Sequence, residues 1–526
     1  MTSIETTTDP ATALATRRAT ARPILLWALA AGLTGDAFVR TAPIGANLTA
    51  WLLVAVVALA TVHHRRSGAV PREAVPLLAV AALFALFVAV RGSEMLTLGN
   101  TVAAMLAIGF AAASAAPASA FDLARARVRD VIRETARLLM LTLTGAFGFL
   151  YTDAILALDF GRRRRDAATP VARALVVATV VSLVFVALLA QGDPVFARVT
   201  SNLFAVDIDF GEVIAHVFFT VFFGWPVLGF VAGAMRESAA AVRPDDPWRV
   251  LGRFDVVATL GILNAVFALF LAVQLRVLFG GMAYVQGTTG LTLAQYARSG
   301  FFTLAAAGGL SLAVLLVMHA MLRPDSPGIE RSYRPLSLLT MALVCSVMVS
   351  AAGRMTLYVQ TFGMSVDRLY TFAGMLWIVT VAGWFSLTIL RGRPLRFARG
   401  ALVSACGILL ALDVANPEAF VVAYNARWAR TGAAFDIKYP VTRLSADAVP
   451  ALVSALVSPV APLDARLTTG DSTPPCAFVR KLLQRWGPEA DASSDGWTLA
   501  AVRARAVVRE QQRALRARAC ATRAPT

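Results

Sequence analysis

Long apolar blocks alternate with short polar, arginine-bearing interruptions along most of this chain. Blocks at residues 23–38, 45–62, 75–90, 98–115, 171–190, 211–233, 255–279, 301–321, 335–352, 370–390 and 401–412 are predicted as helices. Most approach the ~20 residues with which a helix crosses a hydrocarbon core roughly 30 Å thick. The pattern predicts an all-α fold: a polytopic transmembrane helical bundle of about eleven spans over residues 23–414, after a polar N-terminal tail at 1–22. Beyond it the apolar blocks stop, and residues 415–526 predict a small helical C-terminal polar domain. There Ser445 stands as an N-cap before Ala446-Asp447-Ala448, and Phe478, Leu482 and Trp486 recur at helical spacing. An arginine-rich helix is expected from Trp497-Thr498-Leu499 to about Arg518. No strand-like alternation is visible, so the tail reads as wholly helical.

Charge orients the bundle. Arg17, Arg18 and Arg22 precede the first block. The clusters at 63–72, 236–253, 323–334 and 391–399 fall on that same side, while the alternate loops hold one or two arginines each. By the positive-inside rule the N-terminus is cytoplasmic and, after an odd number of crossings, the C-terminus extracytoplasmic. Residues 138–158 are apolar enough to span but are flanked on both sides by arginines, Arg125 to Arg137 and Arg162 to Arg165. A re-entrant or interfacial helix keeps both clusters inside; counting the segment as a crossing makes twelve spans.

Composition agrees: 58% of residues are hydrophobic and the mean hydropathy is +0.67. The net charge of +17 would suggest nucleic acid. Its arginines sit between apolar blocks, however, which points to the lipid bilayer as the partner and away from nucleic acid. No phosphate-binding glycine loop occurs, and none of the four cysteines has C-x-x-C spacing, so no cofactor or metal is expected. Cys345 and Cys406 lie in apolar blocks, whereas Cys476 and Cys520 lie in the tail and are candidates for a disulfide.

Four stretches resemble a bacterial integral-membrane family, domain of unknown function 4173, related to 4153. They are Gly192-Asp193-Pro194-Val195-Phe196; Val273-Gln274-Leu275-Arg276 with Tyr296-Ala297-Arg298; Arg354-Met355-Thr356-Leu357-Tyr358 through Arg368-Leu369-Tyr370; and Asn416-Pro417-Glu418 with Ser445-Ala446-Asp447. Gly192 stands where that family's pattern has alanine. The resemblance implies a multi-span protein with a polar tail and carries over no activity.

In the predicted topology these stretches share the outer face. Asp193, Arg276, Arg298, Arg354, Tyr358 and Arg368 form one candidate cluster, for an anionic small molecule or lipid headgroup, or for ion pairs that lock helix ends. Asp193, Asp367 and Asp413 are its candidate acids. Inside the spans Asp36, Glu212, His216, Asn264 and Gln274 are candidate polar sites, with Glu212 and His216 one helical turn apart. Without a recognisable catalytic set, the expected role is non-enzymatic, a permease-like carrier or an envelope sensor or scaffold. The rival reading is a membrane-embedded transferase acting on a lipid-linked substrate, with Asp36 as its acid.

Overall fold

The computed structural model describes residues 10–39, 44–115, 121–152, 210–235, 250–289, 301–323, 328–458, 467–469, 473–490 and 496–518. The apolar blocks in this range form helices: α1 (Pro10–Thr34), α2 (Ala46–Ser67), α3 (Ala74–Val90), α4 (Glu94–Ala115), α5 (Val128–Thr152), α6 (Phe210–Met235), α7 (Arg253–Thr289), α8 (Phe301–Met321), α9 (Ile329–Phe362), α10 (Val366–Thr388) and α11 (Phe397–Ala415). A π-helical turn, Gly35–Val39, extends α1.

Among the described residues, seven helices are long and apolar enough to cross a membrane: α2, α4, α6, α7, α9, α10 and α11. This corrects the expected eleven. The apolar stretches Ala74–Val90 and Ala306–Met321 are shorter, and α1 carries Arg17, Arg18 and Arg22 ahead of a brief apolar run. The block predicted at 171–190 lies outside the described residues. Large apolar side chains line the exterior, including Leu26, Ile262, Leu269, Leu310, Val349 and Leu376, each more than half exposed. A belt of that extent is stable only where lipid replaces water.

Helix α5 begins ten residues' depth into its arginine cluster rather than at 138, carrying Arg129, Arg133 and Arg137 on its first turns. Its apolar half lies antiparallel on α6. Gly145 and Gly229 meet there, each so close to the other helix's backbone that a Cβ would collide with a carbonyl oxygen.

The two ends of the bundle differ. At one end Leu251 bridges Leu322, Arg253 Nε donates to Ser332 Oγ at 3.1 Å, and Arg22 and Arg65 line one groove. The described arginines of these loops, Arg22, Arg65 and Arg253 among them, therefore lie at the end away from the tail. At the other end stand the loops before α2, between α3 and α4, and between α9 and α10, and all three touch the tail. Ala46 N donates to Trp497 O at 2.8 Å, Gly92 N to Asp447 Oδ2 at 2.7 Å and Met364 N to Asn425 Oδ1 at 2.7 Å. Helix α1 starts at the arginine-rich end and α11 finishes at the tail end.

The tail comprises α12 (Pro417–Arg430), β1 (Phe435–Asp436), α13 (Lys438–Arg443), α14 (Val449–Val457), β2 (Leu467–Thr468), α15 (Pro475–Trp486), α16 (Leu499–Glu510) and α17 (Gln512–Arg518). Ser445 caps a 3-10 turn ahead of α14, and Thr498 accepts from Ala501 N at 3.1 Å to start α16. The arginine-rich helix breaks at Gln511 into two pieces. The wholly helical expectation is also corrected: β1 and β2 pair in parallel, Phe435 with Leu467 and Asp436 with Thr468. Two-residue strands have no alternation to read. Phe478, Leu482 and Trp486 are buried with Phe435, Leu452, Val508 and Leu515 in a core that also takes in Val366 at the start of α10.

Candidate functional site

Among the described residues, the most heavily connected polar site lies at the seam between bundle and tail. Helices α3 and α4 are joined by only Arg91-Gly92-Ser93, so the chain reverses with its N–H groups exposed at the helix ends. Asp447, from the 3-10 turn of the tail, meets them. Its Oδ2 accepts from Gly92 N at 2.7 Å and Ser93 N at 3.1 Å, and its Oδ1 pairs with Arg91 Nη1 at 3.2 Å. The side chains are 11% and 2% exposed, so this is a buried ion pair. Such a pair holds only where further hydrogen bonds offset desolvation, as the two loop amides do here.

The network continues into the bundle. Arg91 Nη2 also donates to the Asp413 backbone carbonyl at the end of α11. Asp413 is fully buried; its Oδ1 accepts from Asn100 Nδ2 at 2.9 Å, and Oδ2 has no hydrogen-bond partner among the described residues. Asn416, in a left-handed conformation, ends α11 and caps α12, and donates to Asp447 O at 3.2 Å. Buried Glu418 accepts from both Ser445 N and Ser445 Oγ at 2.7 Å. Burial pushes its carboxyl above the usual carboxylate range, opposed by the Ser445 hydrogen bonds and reinforced by the Asp447 charge. Ser93 Oγ and Tyr370 OH, 3.3 Å apart, close the group. Sequence reasoning reached Asp413 only as a candidate acid and Ser445 only as a cap. Tyr370, Asn416, Glu418 and Asp447 lay in the stretches that carry the family resemblance, without a role; the remaining signals were a lone arginine in a three-residue loop and an asparagine inside an apolar block.

The predicted intramembrane residues fall into three places. Asp36 sits in the π-helical turn, buried, and meets His216 Nδ1 of α6. The approach depends on Gly32, where a Cβ would lie 2.3 Å from the Thr220 carbonyl oxygen. The structure puts His216 on Asp36, with Glu212 one helical turn before it on α6. Asn264 is built into packing: it donates to Leu336 O at 3.0 Å and accepts from Thr340 Oγ1 at 2.8 Å. Gln274 accepts from Arg354 Nη2, joining α7 to α9 near the tail end.

From the predicted outer cluster, the structure brings three residues together. Arg368 stacks on Tyr358 with its guanidinium 4.1 Å from the ring centre, and Tyr358 lies one helical turn beyond Arg354. Helix α7 carries Arg276, whose side chain is outside the description, and Asp193 and Arg298 lie outside the described residues. Among cysteines, Cys345 and Cys406 are free and Cys476 is disulfide-bonded; Cys520 lies outside the described residues.

No curated protein and no solved structure matches this chain. One family model does, that of the Domain of unknown function (DUF4153), over residues 78–455. The related family 4173, which the sequence stretches resembled, is not the one matched. The matched residues run from α3 into α14 and so contain the whole seam network, whereas Asp36 precedes them. With well over half of its length matched, the chain belongs to the DUF4153 family.

Proposed function

We propose that this chain is a non-enzymatic membrane protein of the sensing or scaffolding kind, a helix bundle that holds a helical domain against its outer ends. By the positive-inside rule the arginine-rich end faces the cytoplasm and the tail lies outside it. The buried Asp447–Arg91 pair carries the reading, because it ties tail movement to the α3–α4 loop and, through Arg91, to α11. The use of Asn264 in helix packing favours this role over a permease-like carrier. We further propose that Cys476 pairs with Cys520, the other tail cysteine. Native mass spectrometry from nanodiscs tests the role. Lipid adducts without a stoichiometric soluble solute are expected; a bound solute that also drives flux in proteoliposomes makes it a carrier instead.

A second reading rests on the Asp36–His216 contact. A transferase acting on a lipid-linked substrate needs a base for the acceptor hydroxyl, and a carboxylate behind Nδ1 orients an imidazole for that task. The hydroxyl oxygen would bond to the transferred group as the bond to the lipid phosphate breaks, its proton passing to His216. Turnover of an isoprenyl-phosphate-linked sugar, reduced about 100-fold or more in His216→Gln, supports it. Absence of turnover by the unaltered protein, or turnover indifferent to the substitution, removes it.

A further inference from the structure

A cleft of about 270 Å³ opens where the α9–α10 loop faces the tail, near the lower end of small-molecule sites at ~300 Å³. Its frame is internally satisfied. Asn425 accepts from Met364 N at 2.7 Å and donates to Met364 O at 2.8 Å, and Tyr439 OH accepts from Val366 N at 3.0 Å. Ser365 Oγ accepts from Arg368 N at 3.4 Å. These bonds fix the walls and leave little polar capacity in them.

Two charges in the lining are not consumed. Arg368 is pinned by its Nη1 contact to the Gly363 carbonyl and by stacking on Tyr358, which leaves Nη2 and Nε unengaged among the described residues. Asp436 Oδ1 accepts from Lys438 N at 2.9 Å and Tyr439 N at 3.4 Å, and Oδ2 is unengaged there. Among the described residues neither charge forms an ion pair, with the other or with a third group. Trp428 and Phe362 add aromatic faces to the same lining.

We propose that this cleft binds a phosphoethanolamine-type zwitterion, presented as a phospholipid headgroup. A simple anion would meet Asp436 and a simple cation would meet Arg368, whereas a zwitterion answers both. The phosphate goes to the arginine, whose planar donors suit it. The ammonium goes to Asp436 and the aromatic faces. The cleft stands where α9 ends and α10 begins, at the ends of two helices long and apolar enough to cross a membrane, which is where a headgroup would lie. Leu357 and Phe362, each about half exposed, continue from it along α9 and offer an apolar path for acyl chains. The site is independent of whether the bundle senses, scaffolds or transfers.

The test is native mass spectrometry of the full chain with short-chain phosphatidylethanolamine, short-chain phosphatidylglycerol and soluble glycerophosphoethanolamine. Phosphatidylethanolamine should be retained about tenfold better than phosphatidylglycerol, and Arg368→Gln should weaken it about tenfold, the size expected for a lost hydrogen bond to a charged group. Asp436→Asn, which keeps its acceptor oxygen for Lys438 N, should erase the preference while leaving phosphatidylglycerol binding intact. An unchanged melting temperature for Asp436→Asn separates this effect from misfolding. Full competition by glycerophosphoethanolamine would keep the headgroup chemistry and assign a soluble source, overturning the lipid. Equal retention of both lipids by the unaltered chain, or a preference that survives Asp436→Asn, would overturn the zwitterion site.

Discussion

The two ends of the bundle use the same residue types to opposite effect. At the arginine-rich end two pairs are local and stay wet: Arg334 with Glu330 one turn away at 3.0 Å, side chains 53% and 73% exposed, and Arg125 with Asp122 at 3.8 Å. At the tail end, Arg91 and Asp447 come from positions 356 residues apart and are buried together. Exposed pairs contribute little because water already solvates both partners. A buried pair adds little net energy when intact but is costly to break, since the survivor keeps a desolvated charge. Sequence-local pairing at one end therefore adds little to stability, and long-range burial at the other marks a joint.

The sharpest way to break this contrast is to remove one partner at the joint. Arg91→Ala leaves Asp447 buried without its cation and should destabilise tail docking by about 3–5 kcal/mol. Hydrogen exchange of the tail should rise across α12 and α14 while α7 and α8 remain protected. Uniform protection throughout would mean that the joint does not hold the tail. A middle case lies within the bundle, where Asn264→Ala removes two neutral hydrogen bonds and should cost about 0.6–2 kcal/mol, read as loss of thermal stability in detergent.

Glu418 sharpens the contrast through pH. Its native pKa is raised by burial, so the folded state binds the proton more tightly than the unfolded state. Its contribution is therefore fully present below an ordinary glutamate pKa of about 4.3 and is lost as pH rises through the raised native value. Glu418→Gln keeps an acceptor for Ser445 and should flatten the pH slope of tail stability above that ordinary range. An unaltered slope would assign it to another group. The smallest effect belongs to the arginine-rich end: Glu330→Ala should change stability by no more than about 0.5 kcal/mol, measured as the melting temperature.

The helices were legible because membrane thickness imposes a length that apolar blocks display directly. Caps were legible too: Ser445 and the Phe478–Leu482–Trp486 stripe encode local structure within a few residues. The span count was less so, since a block such as Ala74–Val90 is apolar yet short. The joint was hidden for a different reason. Arg91 and Asn100 look ordinary beside their sequence neighbours, and Asp413 and Asp447 stood out without a partner; all four acquire meaning only when folding brings distant segments together. His216 shows the same limit: helical spacing pointed only to Glu212, and the contact with Asp36 comes from an approach of α1 permitted by Gly32.

The central claim is that Arg91 and Asp447 act as one buried unit joining bundle and tail. A double-mutant cycle tests it directly, with Arg91→Ala, Asp447→Ala and the pair measured for tail stability by hydrogen exchange. Strong non-additivity is expected: a double variant little worse than either single one, and so a coupling about as large as a single loss, about 3–5 kcal/mol. Additive losses would contradict it, because the two residues would then be stabilising the protein independently.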